Sequence, residues 1–494
     1  MACQLAGREA VVEGLSVPTM AGSDPPSGKS RDYSPGVVSV LDKVAGSLFQ
    51  SDKPVVGVRG IHLDLKGVPP TADRLLTLLD LCAAARLNAV LVEWEDMFPW
   101  TCDRRFRCET AYTPDEVRRF AARASALGIE IIPLVQCLGH METPLKFPEY
   151  AHLREVPEQS GVLNPLAPGA RELVQSMVDD VLELLPDVEH FHLGGDEAWS
   201  FGTHPDTKAY IEKHGKGALY MQHVEPLLDH LLARGIRPIL WHDMMVEWDD
   251  SSLDHLKEKA DLCVWGYQAH PDSVNPRAHY HVSNIERFGR HGVAMWGGTA
   301  YKGADGADSE LPNIARRVAN EMAWTEVAVR FGMKGVLATA WSRYSTMITQ
   351  VEPIDASLDS LVLAAAIMHD GQAPADWEAA CREFLQGIGE WETFQSCRAS
   401  MAELARQKHA AWDRVRQIRQ NMACMALDSS RSDSSPVRKA LEGLKWQVGN
   451  VEKQAPELIS PFAGLVPSVW MERLVGDRIE ALKQEVCEME RALS

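Results

Sequence analysis

Residues 189–199 read E-H-F-H-L-G-G-D-E-A-W: a short apolar strand, two glycines, two adjacent carboxylates and a tryptophan. Asp196 and Glu197 repel each other electrostatically, so their placement together at a strand end beside an aromatic residue is typical of a site built for chemistry. Successive Cα atoms lie about 3.8 Å apart, so both side chains can act on two bonded atoms of one small substrate. The segment predicts paired acids at a strand end, and the surrounding pattern predicts the fold that holds them.

The chain alternates between short apolar runs and amphipathic helical stretches from residue 55 onward. Thr113 and Pro114 supply an N-cap and a first-turn proline for one helix, and Gly128 ends it. Eight strands alternating with helices predict an α/β protein, a (β/α)8 TIM barrel of parallel strands. A doubly wound open sheet is the alternative, but no glycine-rich phosphate turn follows the first strand. The predicted strands are 55–65, 88–95, 129–136, 189–193, 236–242, 261–267, 292–296 and 334–341, and the predicted helices include 71–86, 113–127, 170–185, 217–234 and 311–331.

Three regions are expected along the 494 residues. Residues 1–50, rich in Gly, Ser and Pro, predict a flexible leader; residues 51–372 predict the TIM-barrel catalytic domain, and residues 373–494 a C-terminal helical region. Within the last region, a Ser/Asp-rich break occupies 428–435, and the final predicted helix, 468–493, carries a narrow apolar seam. We expect this helix to pack on the barrel, with a homodimer contact as the alternative. The seam consists of Val475, Ile479, Leu482, Val486, Met489 and Leu493.

The composition restricts the partners and the compartment. The formal net charge is −19, which lacks the positive surface that nucleic acids require, so we expect no nucleic acid partner. No apolar run approaches the roughly 20 residues of a membrane span, so no membrane partner is expected either. The ten cysteines form no C-x-x-C pair, no N-x-Ser/Thr acceptor occurs, and the N-terminus has no apolar signal stretch. We therefore expect a protein of the cytoplasm, with the nucleus as a second compartment.

Polar and aromatic residues collect where the predicted strands end. In a TIM barrel the functional groups follow the C-terminal ends of the strands, so these residues are expected to share one site. Tryptophans at or near five of the eight ends, beside a few charged groups, predict a pocket for a pyranose ring. In strand order the residues are Arg59, His62 and Asp64; Glu93, Trp94, Glu95 and Asp96; His140; Asp196 and Glu197; Trp241, His242 and Asp243; Trp265; Trp296 and Tyr301; and Trp341, Ser342 and Arg343.

This set of residues resembles the β-N-acetylhexosaminidases of glycoside hydrolase family 20. The resemblance is carried by H-x-G-G-D-E-x-W at 192–199, R-G-x-x-L-D at 59–64, G-H at 139–140 and the strand-end tryptophans, and it covers about 55–370. With T-A-Y-K-G at 299–303 and no signal or preceding accessory domain, the chain is most similar to the hexosaminidase D branch. The resemblance implies a retaining exo-enzyme that needs no cofactor or metal. It would release terminal β-linked N-acetylhexosamine from a glycan or glycoconjugate through an oxazoline intermediate formed by the substrate's own amide.

The resemblance also implies a role for each residue that matches the family pattern. Glu197 would protonate the leaving oxygen and then deprotonate water, and Asp196 would hold the acetamido N–H. The sugar and its acetamido group would be bound by the following residues: Arg59 at ring hydroxyls, His140 beside the acids, Trp241, Trp265 and Trp341 as walls, Tyr301 as donor to the acetamido oxygen, Glu95 and Asp96 orienting Arg59 or catalytic groups, and Asp243 in support.

One position departs from the family pattern. Better-known members carry a glutamate two residues after the tryptophan of strand eight, where it contacts outer sugar hydroxyls, and this chain has Arg343 there. N-acetylglucosamine therefore does not follow automatically as the substrate. We expect a preference for β-N-acetylgalactosamine with tolerance for N-acetylglucosamine.

Three other interpretations of these residues stay open. His190 and His192 form an H-x-H pair that would suit a metal-dependent TIM-barrel hydrolase, although no matching ligand set follows and His190 is expected to face outward. The string G-G-D-E also occurs in diguanylate cyclases, where it lies in a hairpin followed by an aromatic strand. The third interpretation is a catalytically silent sugar-binding barrel, since a fold does not fix a function. The presence of both acids favours an enzyme.

Overall fold

The computed structural model describes residues 48–343, 349–427 and 433–493. Nearly all of the predicted leader at 1–50, and part of the predicted break at 428–435, therefore lie outside the described residues. The described part consists of a closed eight-stranded barrel, the helices that surround it, and a set of long helices at the C-terminal end of the chain. The predicted fold class, a TIM barrel with a C-terminal helical extension, is confirmed.

Each barrel strand pairs in parallel with its neighbours in the sequence, and the last strand closes onto the first. This arrangement excludes the doubly wound open sheet. All eight predicted strands form, seven of them within three residues of their predicted bounds, whereas the seventh runs six residues past its predicted end at 296. The strands are β1 (Val58–Asp64), β2 (Ala89–Glu93), β3 (Glu130–Leu134), β4 (His190–His192), β5 (Arg237–Trp241), β6 (Asp261–Trp265), β7 (Met295–Lys302) and β8 (Gly335–Ala340).

The pleat of the strands decides which side chains enter the barrel, because successive residues point to opposite faces. On β1, Ile61 and Leu63 pack outward in the core between barrel and helices. Asp64 has the opposite parity and points inward, directly opposite its register partner Glu93 on β2. A separate apolar cluster fills the barrel below this level, so the open end lies at the strand C-termini. That cluster consists of Ala89, Leu91, Ile132, Leu134, Ile239, Trp241, Cys263, Trp296 and Leu337.

Helices cover the outside of the barrel between successive strands. The predicted N-cap of α2 is confirmed as a capping box, in which the Thr113 hydroxyl accepts from the Glu116 N–H and the Glu116 carboxylate accepts from the Thr113 N–H. The helices are α1 (Ala72–Ala84), α2 (Pro114–Ala126), α3 (Glu142–Leu145), α4 (Ala170–Leu184), α5 (Pro205–His214), α6 (Lys216–Leu232), α7 (Asp250–Leu256), α8 (Val282–Arg290), α9 (Ile314–Phe331) and α10 (Leu358–Asp370). Short 3-10 turns lie at Glu95–Met97, Arg104–Phe106, Pro148–Leu153, Asp243–Met245, Ile354–Ala356 and Ser460–Phe462.

The connection between β3 and α4 contains a hairpin that the sequence did not predict. Arg154–Val156 pairs antiparallel with Gln159–Leu163. Its buried Glu155 carboxylate accepts hydrogen bonds from the N–H groups of Gly202 and Thr203 in the loop that follows β4. The hairpin thus supports the segment that carries the paired acids. Within 48–343, 349–427 and 433–493, no helix is both long enough and apolar enough to cross a membrane.

The C-terminal helices pack on one another and on the loops at the open end of the barrel. They are α11 (Trp377–Gly387), α12 (Trp391–Leu427), α13 (Ser435–Ile459) and α14 (Ser468–Leu493). The seam of α14 is used inside the chain, because Val475 through Met489 of the seam are buried with α12 and α13. Arg478 on α14 donates to the Gln350 carbonyl at 2.9 Å and pairs with Glu310 in the loop after β7. Packing of α14 within the chain therefore accounts for the seam. A homodimer stays a prediction, and the seam no longer supports it.

Candidate active site

Two glycines allow the chain to turn sharply from β4 into the paired acids. Gly194 and Gly195 have φ angles of 61° and 82°, a region that L side chains rarely adopt. A Cβ on Gly194 would lie 1.8 Å from the Gln136 Oε1 atom, and one on Gly195 would lie 2.1 Å from the Tyr220 hydroxyl. Glu197 itself has a φ of 46°, which is strained for a non-glycine residue. The turn is thus fixed by its surroundings in a conformation that aims both acids into the barrel mouth.

A cavity of about 350 Å³ lies at the C-terminal ends of the barrel strands. Its size is in the range of small-ligand sites. A larger groove of about 810 Å³ between α13 and α14 lies outside the barrel and is mainly apolar. Of these two, the barrel cavity is the one in which acids, bases and aromatic rings converge. It is lined by Lys66, Glu93, Gln136, His140, Asp196, Glu197, Trp241, Trp265, Tyr267, Gln268, Gly303, Ala304 and Trp341.

The two acids differ in their exposure to solvent. Asp196 is 5% exposed, and its Oδ1 atom is buried with no hydrogen-bond partner in the described part of the chain. The Glu197 side chain is 34% exposed. A buried acceptor without a partner is costly, so Asp196 is suited to receive an N–H or O–H from a ligand. The Glu197 carboxyl is accessible to solvent, so molecules can reach it from solvent and leave again.

His140 links the two acids. Its Nε2 atom lies 3.6 Å from Asp196 Oδ2 and 3.3 Å from Glu197 Oε2. Burial alone would lower the pKa of His140, but the Asp196 and Glu197 carboxylates outweigh burial and hold the pKa well above its ordinary value. The preceding residue, Gly139, touches the same turn, because a Cβ there would lie 1.8 Å from the Asp196 carbonyl oxygen. The His140 ring is therefore held as a cation between the two carboxylates.

Asp243 supports the turn from β5. Its Oδ2 atom accepts the Glu197 backbone N–H at 3.0 Å, and its Oδ1 atom accepts the Trp265 indole N–H at 3.3 Å. Burial and the charge of Asp196 raise the pKa of Asp243 to about 7. One carboxylate thus fixes both the general-acid candidate and an aromatic wall.

Aromatic rings form the walls of the cavity. Trp241 and Trp341 lie with ring centroids 6.3 Å apart, and Trp265 stacks on Tyr267 at 5.2 Å with an interplanar angle of 26°. The Trp241 indole N–H is buried and has no hydrogen-bond partner among the described residues. Such walls suit the C–H faces of a sugar or the methyl group of an acetamide.

The structure corrects the role expected for Arg59. Its guanidinium donates to the carbonyl oxygens of Val56, Gly57 and Arg86 at 2.8–3.1 Å, at the start of β1. Arg59 has the outward parity of the strand, and five residues at about 3.3 Å each separate it from the strand's other end. It therefore does not reach ring hydroxyls in the cavity, and Glu95 and Asp96 do not orient it.

The role expected for Tyr301 is also wrong. Strand β7 runs to Lys302 instead of ending near residue 296, so Tyr301 lies in a strand and not in a loop. Its side chain faces outward and is fully buried, and its hydroxyl donates to the His62 carbonyl at 3.3 Å. Tyr267, which the sequence did not single out, lines the cavity instead.

Glu95 and Arg343 lie beside the cavity and not in its lining. The Glu95 carboxylate accepts the Thr143 hydroxyl, and burial together with the charge of Glu93 raises the pKa of Glu95 to about 8. The Arg343 guanidinium interacts electrostatically with Asp96, while its backbone N–H donates to Asp64 at 3.4 Å. A substrate-binding role for either residue stays a prediction.

The H-x-H pair does not form a metal site in the structure. His190 was expected to face outward, but its ring lies inside the barrel base, 5.1 Å from Trp296, and its Nδ1 atom lies 2.7 Å from Glu130. His192 packs on Trp241 at 4.2 Å, and its Nδ1 atom accepts the Gly194 N–H. In the ranges that the structure describes, no three His, Cys, Asp or Glu side chains converge as metal ligands.

Sequence reasoning missed several residues of the lining. Lys66, Gln136 and Tyr267 each lie two residues past a strand end, so their position was available as a signal. Their residue types are common, and no spacing distinguishes them. The alternation of strands and helices therefore predicts that these residues lie near strand ends, but it does not predict that they line the cavity.

Comparison with known proteins identifies the family. Residues 57–285 match the model of glycosyl hydrolase family 20, catalytic domain. The chain is 32% identical to hexosaminidase D of Bos taurus over 346 residues, which are 68% of this chain and 98% of the relative. It is 31% identical to hexosaminidase D of Homo sapiens over 68% of this chain and 70% of the relative. The similarity predicted to this branch is confirmed.

A solved structure supports the fold. The chitobiase of Flavobacterium johnsoniae superimposes with a TM-score of 0.52 at 15% identity, over 89% of this chain and 72% of that one. At this identity the likeness concerns the architecture alone. Together with the family match, the relatives and the acids at the end of β4, the conclusion is that the chain is a glycoside hydrolase and belongs to glycosyl hydrolase family 20.

Proposed function

We propose that the protein is a retaining exo-β-N-acetylhexosaminidase. It releases terminal β-linked N-acetylhexosamine from a glycan or glycoconjugate, and the 2-acetamido group of the substrate serves as nucleophile. The observation that carries the proposal is the buried Asp196 Oδ1 atom, which has no partner among the described residues and lies in the same cavity as the partly exposed carboxyl of Glu197. Family membership and the hexosaminidase relatives support it.

Adjacent acids suit a reaction at two bonded carbons. Asp196 accepts the acetamido N–H on C2 and, by its negative charge, favours the positive charge that develops on the amide as its oxygen attacks C1. Glu197 donates its proton to the glycosidic oxygen as the C1–O bond breaks, so the leaving group departs neutral. An oxazoline intermediate remains, with the ring oxygen of the oxazoline bonded to C1.

The second half of the reaction reverses these roles. The Glu197 carboxylate takes a proton from water, and the water oxygen attacks C1 from the face that the leaving group vacated. The bond from C1 to the amide oxygen breaks, the acetamide is restored, and the configuration at C1 is retained. Tyr267 is the described cavity hydroxyl that we assign to the acetamido oxygen, the role first expected of Tyr301.

We propose a preference for N-acetylgalactosamine with tolerance for N-acetylglucosamine. The basis is Arg343, which replaces the glutamate of better-known members and therefore removes an acceptor for outer hydroxyls of the sugar. Replacing Arg343 by Glu tests this assignment: the ratio of kcat/KM for the two aryl glycosides should shift toward N-acetylglucosamine. An unchanged ratio would refute the role of this position.

The proposal is tested by hydrolysis of paired aryl glycosides. We expect turnover of the β-N-acetylgalactosaminide and the β-N-acetylglucosaminide, with no turnover of the matching glycosides that carry a plain 2-hydroxyl. The activity should survive a chelator, which distinguishes this enzyme from a metal-dependent hydrolase. Binding of the sugar without any release of the aryl group would instead indicate a silent sugar-binding barrel.

We propose the cytoplasm as the compartment, with the nucleus as a second one. The cysteines in the described part of the chain are free thiols, most of them buried, which a reducing environment preserves. Fractionation of cells that express the tagged protein tests this, and recovery from the secretory pathway would contradict it.

A further inference from the structure

A buried lysine ties two barrel strands together behind the Trp341 wall of the cavity. Lys302 is the last residue of β7 and is fully buried. Its Nζ atom donates to the Trp341 carbonyl at 3.1 Å and to the Ser342 hydroxyl oxygen at 3.1 Å. The register between β7 and β8 shifts at this level, where Ala340 pairs with Lys302. The ammonium group therefore joins the ends of the two strands at the point where their pairing is irregular.

A buried glutamate holds the turn that follows β7. The Glu352 carboxylate accepts the Gly303 backbone N–H, and Gly303 lines the cavity together with Trp341. A Cβ on Gly303 would lie 1.9 Å from the Trp341 carbonyl oxygen, so the turn and the wall are in close contact. Glu352 itself has a φ of 35°, a strained value for a non-glycine residue. The surroundings therefore impose this conformation on the residue that holds the turn.

Folding alone explains these two charged groups poorly. Burial lowers the pKa of Lys302 to about 8, although the Glu352 carboxylate opposes that shift. Burial likewise raises the pKa of Glu352, against the opposing effects of the Gly303 N–H and the Lys302 charge. Buried charges contribute little to stability compared with apolar packing of similar volume. Their place directly behind a cavity wall therefore indicates a role in the cavity.

The C-terminal helix α14 holds the segment that carries Glu352. The Glu352 backbone N–H donates to the Ser309 carbonyl at 3.2 Å. Arg478 on α14 is buried, and its guanidinium donates to the carbonyls of Ser309 at 3.2 Å and Gln350 at 2.9 Å. One guanidinium group thus joins the loop after β7 to the segment after β8, two residues before Glu352. The C-terminal helical region therefore supports the same wall of the cavity.

The position of Trp341 sets the width of the aromatic part of the cavity. Its ring centroid lies 6.3 Å from that of Trp241 and 6.5 Å from that of Tyr267. The proposed function assigns the Tyr267 hydroxyl to the acetamido oxygen, so the acyl group of the substrate lies among these rings. An outward movement of Trp341 would admit a larger acyl group.

We propose that Glu352 and Arg478 are positioning residues that limit the size of the 2-acyl group that the enzyme accepts. Glu352 holds the turn at Gly303 against the Trp341 carbonyl, and Arg478 holds the segment that carries Glu352. Neither of the two residues belongs to the cavity lining, so both act through Trp341. The inference rests on the proposed function, since it places the acetamido group of the substrate beside this ring. It gives the C-terminal helical region a part in substrate selection.

The test compares aryl β-glycosides of glucosamine whose 2-amino group carries an acetyl, a propanoyl or a butanoyl group. One extra methylene in an apolar pocket changes kcat/KM by about 10- to 200-fold. We expect the wild-type enzyme to show a fall of this size from acetyl to propanoyl, and a larger fall to butanoyl. Because each ratio is measured on one enzyme preparation, a loss of folded protein in a variant cancels from it.

Arg478→Lys and Glu352→Leu should each lower the acetyl-to-propanoyl ratio about 10-fold toward one, because Trp341 gains room to move outward. The lysine keeps a positive charge opposite Glu310, but its ammonium lacks the planar fork that holds both carbonyls. The leucine removes the acceptor of the Gly303 N–H. In both variants the acetyl substrate should lose activity while the propanoyl substrate loses little.

Arg74→Lys is the matched control for Arg478→Lys. Arg74 is also a buried arginine, and its carboxylate partners Asp355 and Glu390 do not line the cavity. This variant should lose stability but keep the wild-type ratio. An equal fall of the ratio in Arg74→Lys would overturn the inference, because general loosening of the fold would then explain the effect.

Two further outcomes would overturn the inference. One is a wild-type enzyme that cleaves the three acyl substrates at equal rates, and this measurement requires no variant to fold. The other is a wild-type ratio in both Arg478→Lys and Glu352→Leu. Failure of the wild-type enzyme to cleave the acetyl substrate would overturn the proposed function and this inference with it.

Discussion

The carboxylate of Asp243 holds the backbone N–H of Glu197 at 3.0 Å while its other oxygen holds the Trp265 indole N–H at 3.3 Å. Both bonds require an acceptor, and an aspartate has one at each oxygen. An asparagine has only one oxygen, so it can serve only one of the two donors. The general-acid candidate and an aromatic wall are thus set by a single side chain that touches neither the sugar nor the bond being cut.

Asp243→Asn should lower kcat by about 100-fold, because a small displacement of a catalytic group costs on that order. The fall is expected on activated and unactivated substrates alike, since positioning of the whole turn is affected. Steady-state kinetics on the aryl glycosides check this result. Asp254→Asn, at an exposed carboxylate on α7, is the control and should leave kcat unchanged. An Asp243 variant with wild-type kcat would remove the positioning role.

The same substitution should remove a loss of stability that the wild type suffers as the pH rises. Burial and Asp196 raise the pKa of Asp243 from 3.8 to about 7. Between these values the unfolded chain has lost the proton and the folded chain keeps it, so the free energy of unfolding falls with rising pH. Asparagine does not titrate, and the variant should gain on wild type by up to about 1.4 kcal/mol per pH unit across that window. Urea unfolding at several pH values measures the gain, and a pH-independent difference would contradict it.

Glu197→Gln should separate substrates by their leaving groups. An alkyl or glycan leaving group needs the proton, so kcat/KM should fall by about 100- to 10,000-fold. An activated aryl group departs without it, so the loss on that substrate should be much smaller. Parallel assays of both substrate types give the comparison. Equal losses on both would contradict the acid role, and Glu225→Gln, at a partly exposed glutamate paired with His255, is the control.

Asp196→Asn should weaken binding of a thiazoline that mimics the oxazoline intermediate. A hydrogen bond to a charged group is worth about 1.5–3 kcal/mol, so the inhibition constant should rise by about 10- to 100-fold. Inhibition measured against residual activity, or calorimetry where no activity is left, gives the value. Unchanged affinity would remove the assignment of Asp196 to the acetamido N–H.

Gly139→Ala tests the packing that holds the acid turn. The new Cβ would lie 1.8 Å from the Asp196 carbonyl oxygen, a backbone atom that cannot give way without moving the turn. We expect kcat/KM to fall by about 100-fold or more. Gly449→Ala on α13 is the control, since its Cβ would meet no atom within 4 Å and should add about 1 kcal/mol of helix stability. Normal activity of the Gly139 variant would contradict the close approach.

The barrel and the acid pair could be predicted from the sequence because neither pattern changes when a strand bound is wrong by a few residues. Apolar runs of strand length, separated by helical periods, define eight units wherever their exact ends lie. Asp196 and Glu197 follow such a run directly, so their place at a strand end needs no exact register. His140, Trp241, Trp265 and Trp341 were located in the same way, and the structure brings them together around one cavity.

The roles predicted for Arg59 and Tyr301 were wrong because each depended on the exact position of the residue in its strand. A residue at the start of a strand lies at the opposite end of the barrel from the site, and a shift of one residue reverses the face on which a side chain lies. The predicted end of strand seven, near 296, left Tyr301 in a loop, whereas the strand extends to Lys302 and turns the ring outward. Lys66 was missed because its place in the cavity wall depends on its contacts with Asp64 and Glu93. The order of residues along the chain does not predict those contacts.

The most direct test of the central claim is the effect of the 2-acyl group on the rate. Aryl glycosides carrying acetamido, fluoroacetamido, difluoroacetamido and trifluoroacetamido groups differ in the nucleophilicity of the amide oxygen and little in size. If that oxygen attacks C1, kcat/KM of the wild-type enzyme falls steeply and in order as fluorines are added. A flat series, or efficient cleavage of glycosides with a plain 2-hydroxyl, would contradict the assignment of the substrate amide as nucleophile and of Asp196 as its partner.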